Sequence, residues 1–120
     1  MKLGLLLFLL SGKLKAASKK NAAFKKYIKD KKLRALIKTA DNTQGRLYIF
    51  EEGKISSVPG IHEAAFAMVW SDPDTAFRVM TSGNEEASLA ALTERKLTVE
   101  GNYKDFAWFS KALSLMNGSK

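Results

Sequence analysis

At 120 residues, 46% of them apolar and none of them cysteine, the chain is sized for one domain with a real core, and it excludes disulfides, thiolate nucleophiles and cysteine metal sites. Its formal charge of +8 is unevenly spread: residues 1–38 carry twelve Lys and Arg against the single acid Asp30, whereas residues 39–120 carry eight basic and eleven acidic side chains. The basic character is therefore local to an N-terminal arm, expected over residues 1–30, where an anionic membrane or a nucleic acid would meet the chain first.

The chain opens on MKLGLLLFLL, in which Lys2 precedes an eight-residue apolar run from Leu3 to Leu10. That pattern imitates the start of a signal peptide, but it falls far short of the roughly 20 residues a membrane-spanning helix needs. The following SGKLKAASKK is too charged for an ordinary cleavage flank, although Ala16-Ala17-Ser18 keeps that reading open. A retained helix packed on the domain or a partner, a helix lying on a membrane surface, and an export signal are the three alternatives.

NAAFKKYIKD predicts a short helix with Asn21 as N-cap, Phe24 and Ile28 one turn apart, and Lys25, Lys26 and Lys29 facing water. KLRALIKTA alternates at Leu33, Ala35 and Ile37 before the turn-forming DNTQG, and is read as the first strand. RLYIFEEGKISSV predicts a hairpin: Leu47 to Phe50 is β-prone, Gly53 suits positive φ in a tight turn, and Ile55 to Val58 returns. Pro59-Gly60 fits a type II turn. In AAFAMVW, period two puts Phe66, Met68 and Trp70 on one face and Ala65, Ala67 and Val69 on the other.

SDPDTAFRVMTSG carries helix-start signals in register, with Asp72 as N-cap, Pro73 at the first position and Gly83 as the stop. Ala76, Phe77 and Met80 are the expected buried stripe. Asn84 is expected to cap a second helix that buries some of Ala87, Leu89, Ala90 and Leu92. Lys96 to Glu100 alternates as the last strand with Leu97 and Val99 inward, and Gly101 releases it into a helix capped by Asn102. There Phe106, Phe109, Leu113 and Met116 follow helical spacing, and Trp108, Ala112 and Leu115 widen the face. The pattern is that of an α+β domain.

Catalytic chemistry has little to work with. His62, the sole histidine, sits beside a turn with no nucleophile elbow nearby, so it reads as a surface residue and no metal site is expected. Asp72 and Asp74 are explained by helix capping and first-turn electrostatics. Gly53, Gly60, Gly83 and Gly101 never cluster into a phosphate-cradling loop, so no nucleotide cofactor is expected. Lysines favour phosphates, but Tyr48 and Phe50 are the only faint hint of a base-stacking strand, so nucleic acid is an unlikely partner. What remains is apolar surface, which serves either as plain core or as the lining of a ligand site with few polar anchors.

The order hairpin, AAFAMVWSDPDTAFRVMTSG, helix, KLTVEGNYKDFAWFSKAL resembles the sterol carrier protein type 2 (SCP2-like) domain family over residues 33 to 116. Glu94-Arg95 stands where that family commonly has glycine, and Asn102 where it has aspartate. The resemblance implies an SCP2-like domain over residues 31–117, with a five-stranded, mainly antiparallel sheet covered by helices. It implies a non-catalytic protein that binds or transfers a sterol, fatty acyl or isoprenoid lipid in an internal tunnel. Carried over by position, the lining is Phe66, Met68, Trp70, Phe77, Met80, Phe106, Phe109 and Leu113. The expected setting is cytoplasmic, peripheral at an anionic membrane surface through the lysine-rich N-terminus. A structural or regulatory homo-oligomeric domain with a filled core, such as a homodimer, is the alternative, ahead of nucleic-acid binding through the basic arm.

Overall fold

Alternating side chains build a sheet, and helical stripes cover one face of it. The computed structural model describes residues 2–82 and 85–118. In chain order the elements are α1 (Lys2–Lys20), α2 (Ala22–Ile28), β1 (Lys32–Thr39), β2 (Gly45–Glu51), β3 (Lys54–Pro59), β4 (Phe66–Trp70), α3 (Pro73–Ser82), α4 (Glu85–Thr93), β5 (Leu97–Gly101) and α5 (Tyr103–Gly118). The strands lie in the order β3-β2-β1-β4-β5. Three of the pairings are antiparallel, and β1 pairs with β4 in parallel, with Ala35 opposite Phe66 and Thr39 opposite Trp70.

The parallel pairing needs a crossover from β3 to β4. Residues 60–65 make it, held by Gly60 N donating to Gly45 O at 3.0 Å, Arg34 Nε to Glu63 O at 3.2 Å and Ala65 N to Arg34 O at 2.9 Å. Period two then sorts the side chains. Leu33, Ala35, Ile37, Tyr48, Phe50, Phe66, Met68, Trp70 and Leu97 face the helices, and Leu36, Leu47, Ala67 and Val69 form a second, smaller cluster on the opposite face. Every side chain of β4 is buried, Phe66, Met68 and Trp70 under the helices and Ala67 and Val69 in the smaller cluster on the opposite face.

The local signals act where the residue chemistry requires them. Glu52 (φ 50°) and Gly53 (φ 89°) form the left-handed pair of a two-residue hairpin turn. Asn21 Oδ1 accepts the Phe24 amide at 3.0 Å, and its Nδ2 donates to Leu115 O, tying α2 to α5. Asp72 accepts the Thr75 amide at 2.7 Å and the Thr75 hydroxyl at 2.9 Å; these two bonds hold its carboxyl below the usual carboxylate pKa. Asn102 caps α5 through the Lys104 and Asp105 amides. Gly101 is obligatory twice over: its φ is +91°, and a Cβ there would lie 2.6 Å from Ala65 O.

Two helices differ from expectation. On α3 the buried positions are Thr75, Ala76 and Val79, while Phe77 and Met80 are only half-buried. Val79, one helical turn from Ala76 and Thr75, takes the inward place that the larger side chains were expected to fill. On α4 the buried residue is Ala91, Ala87 and Leu92 are half-buried, and Leu89 and Ala90 face outward. Its run of small apolar residues has no stripe to mark a face. The expected stop at Gly83 and cap at Asn84 lie outside the described residues.

Candidate apolar ligand site

Most of the inner layer, between the sheet and the helices, comes from three sources, with Phe24 and Ile28 of α2, Ala76 and Val79 of α3 and Ala91 of α4 completing it. The sheet contributes Tyr48, Phe50, Phe66, Met68 and Trp70, and α5 contributes Phe106, Phe109 and Ala112. Helix α1 contributes Leu3, Leu7, Leu10, Leu14 and Ala17, spaced three and four apart along one face. The segment expected as a basic arm thus supplies a large part of the core.

Phe109 sits at the centre of the layer's rings. Its centroid lies 6.2 Å from Tyr48, 5.9 Å from Phe50 and 5.7 Å from Phe66, within the range of favourable edge and tilted contacts. Phe106 meets Phe66 at 6.1 Å. Trp108 lies at the edge of the layer: it meets the Phe50 ring edge-on at 5.1 Å, stacks on Tyr27 at 4.8 Å, receives the Lys31 ammonium at 5.1 Å from its ring, and its carbonyl accepts the Tyr27 hydroxyl. It therefore joins α5 to α2.

Of the eight residues expected to line a tunnel, Phe66, Met68, Trp70, Phe106 and Phe109 are buried together in this layer, and Met80 and Leu113 pack against it. Phe77 is half-buried on α3. Tyr48, Phe66, Trp70 and Phe109 are each at most 2% accessible, so their surfaces meet neither solvent nor any sizeable water-filled void. At these residues the layer is closed, and much of what closes it is α1.

Two polar groups stand in this apolar setting. Tyr48 Oη donates to the main-chain carbonyl of Leu7 at 2.7 Å; burial pushes its phenol well above the ordinary tyrosine pKa, so it remains a donor. Trp70 Nε1 is buried and has no hydrogen-bond partner among the described residues. Neither signal is readable from periodicity, which places the rings but not their polar atoms.

The outward face of α1 is of two kinds. Leu5, Phe8 and Leu9 are exposed, at 61%, 57% and 52%, and the Arg46 guanidinium lies 5.3 Å from the Phe8 ring. Further along, Lys13, Lys15, Lys19 and Lys20 are exposed, and α2 adds Lys25 and Lys26, with Lys29 just beyond it. Lys25, Lys26 and Lys29, with Ser18 and Gly53, line a surface pocket of about 340 Å³. None of these seven lysines is paired with a carboxylate among the described residues. His62 is exposed, 2.9 Å from Pro59 O. Among the described residues no group of three His, Cys, Asp or Glu could hold a metal ion, and no helix is long and apolar enough to cross a membrane. Tyr48 and Phe50 are buried, which removes them as a base-stacking surface.

This architecture is the SCP2-like fold. A solved UbiJ-SCP2 ubiquinone synthesis protein superposes with a TM-score of 0.69 at 11% identity, covering 95% of this chain and 93% of that one. A crystal structure of sterol carrier protein 2 gives 0.59 at 18% identity over 88% of each chain. A conserved Thermus thermophilus protein, named as a candidate sterol carrier protein, gives 0.52 at 19% identity, over 88% of this chain and 81% of that one. No family model matches the sequence, and no curated protein matches it.

Proposed function

We propose that this protein holds or transfers an apolar lipid, without chemical turnover, in the layer between its sheet and its helices. One observation carries the reading: in an SCP2-like fold, the apolar layer is completed by the leucine stripe of α1, which is joined to the sheet only by packing and hydrogen bonds. A lipid tail takes the place of that stripe, against Phe66, Met68, Trp70 and Phe109, with Phe106, Phe77, Met80 and Leu113 around it. The names of the similar structures, which include sterol carrier proteins and a ubiquinone synthesis protein, support a lipid as the ligand.

The energies are comparable. Burying a chain gains about 0.8 kcal/mol per methylene. Exposing Leu3, Leu7, Leu10 and Leu14 costs about 1.5–3 kcal/mol each. A tail of ten or more methylenes balances that cost, and the balance shifts further toward loading where α1 finds a second apolar phase.

An anionic bilayer is such a phase. Leu5, Phe8 and Leu9 enter the interface, and the lysines of α1 and α2 add about 1 kcal/mol each near the anionic surface. On this reading the protein works as a peripheral protein on the cytoplasmic side of a membrane. The exposed Leu5, Phe8 and Leu9 also favour a second reading, a homodimer with a permanently filled core.

Native mass spectrometry after gentle purification, with lipid extraction, separates the two. Near-stoichiometric lipid on a monomer is expected. A lipid-free dimer that takes up no fatty acid, sterol or isoprenoid from vesicles overturns the carrier. Because the chain has no cysteine, Gly4→Cys and Gln44→Cys can be bridged by a short thiol cross-linker at the point where Gly4 N donates to Gln44 Oε1 at 3.1 Å. Bridging is expected to abolish uptake that the unbridged variant retains.

A further inference from the structure

Among the described residues, the buried polar side chains are matched with one exception. Tyr48 donates to Leu7 O, Ser11 to Phe8 O, Thr39 to Asp41, and Thr75 to Asp72. Trp70 is 1% accessible, and its indole N–H meets no acceptor among the described residues. Leaving a buried donor unmatched costs free energy that phenylalanine at the same position would avoid. Trp70 therefore carries a buried donor for which the described residues supply no acceptor.

We infer that Trp70 Nε1 is the polar anchor of the ligand site, donating a hydrogen bond to the acceptor oxygen of an uncharged lipid such as a long-chain ketone, ester or alcohol. The inference rests on the carrier reading above. The absence of charge follows from the surroundings: among the described residues the buried polar side chains besides Tyr48 and Trp70 are Ser11, Thr39 and Thr75, none of them a Lys or Arg. A carboxylate brought to Trp70 would be buried without a cation, which is far costlier than a carbonyl or hydroxyl meeting one donor.

The position of Trp70 also orients the ligand. It is the last residue of β4, directly before exposed Ser71 and the start of α3, whereas Phe66 begins the same strand beneath Phe106 and Phe109. Phe66 and Trp70 are four residues apart on one face, about 13 Å. The oxygen end lies at the α3 end of the layer, and the tail runs past Met68 toward α5.

The experiment uses the full chain and three matched probes delivered from vesicles: 2-heptadecanone, heptadecane and palmitate. Wild type is expected to bind the ketone at least tenfold more tightly than the alkane or the acid. Trp70→Phe is expected to lose the preference for the ketone over the alkane, whatever its absolute affinity for either, while remaining folded in urea titration. Equal ketone preference in wild type and Trp70→Phe overturns the anchor and leaves the carrier standing; no uptake of any probe by either overturns both.

A second readout needs no change at Trp70. With Trp108→Phe, Trp70 is the only indole, and the ketone, but not the alkane, is expected to shift its emission to longer wavelength. An unshifted emission with bound ketone overturns the anchor, even where Trp70→Phe does not fold.

Discussion

The phenol of Tyr48 donates to the main-chain carbonyl of Leu7 at 2.7 Å, forty-one residues away, and so fastens the N-terminal half of α1 to the inner face of β2. A hydrogen bond of this kind contributes about 0.5–1.5 kcal/mol net. Tyr48→Phe keeps the ring against Phe109 and removes only the bond. The variant is expected to lose about 1 kcal/mol of stability in urea. Hydrogen exchange of the α1 amides is expected to quicken severalfold, while β1 and β4 stay protected. Unchanged exchange in α1 would show that the bond does not hold the helix down.

The same phenol sets an alkaline limit. Burial raises its folded pKa above the ordinary value of 10.0. The folded state therefore keeps a proton that the unfolded chain has released, and the stability present below pH 10 is lost as pH rises toward the folded pKa. The expected slope from this group is about 1.4 kcal/mol per pH unit. Denaturation curves on either side of pH 10 should show it in wild type and show it flattened in Tyr48→Phe.

The two faces of α1 should respond differently to substitution. Leu14 is fully buried, so Leu14→Ala is expected to cost about 2–5 kcal/mol. Leu5 and Leu9 are exposed, so Leu5→Ser and Leu9→Ser are expected to change stability by no more than about 0.5 kcal/mol each. The double variant should nonetheless lose sedimentation with anionic vesicles. Wild-type sedimentation should weaken with added salt, and salt-insensitive binding would remove the lysines from the docking step.

Arg95 ends α4 in the left-handed conformation, φ 62°, with Lys96 N donating to Ala91 O and Arg95 N to Leu92 O. These are the two bonds of a Schellman cap, whose left-handed position is usually glycine. Arg95→Gly relieves strain of about 1 kcal/mol or more and gives part of it back as backbone entropy in the unfolded chain. A rise in thermal midpoint of a few degrees is expected. A fall would mean that the arginine side chain contributes more than its backbone costs.

Much of this molecule was legible before any coordinates. The caps at Asn21, Asp72 and Asn102, the Gly53 turn and the alternation of Phe66, Met68 and Trp70 each follow from a backbone group or a side-chain direction that few residues can satisfy. The reading failed where chemistry was uniform. Leu3 to Leu10 is apolar on every side, so periodicity could not say that Leu7 and Leu10 turn inward while Phe8 and Leu9 turn out. The alanine-rich α4 was equally mute. On α3, size suggested Phe77 and Met80, but helical geometry gave the inward place to Val79. The unmatched N–H of Trp70 was invisible, because an unmet hydrogen bond is a property of surroundings and not of a residue type.

The order of these elements along the chain has a consequence for synthesis. Helix α1 leaves the ribosome well before the β2–β3 hairpin that covers its inner leucines, an interval of seconds at about 5–20 residues per second. During that interval it is an oily rod with no sheet to lie on, and its leucines must stay out of other apolar contacts until the hairpin arrives.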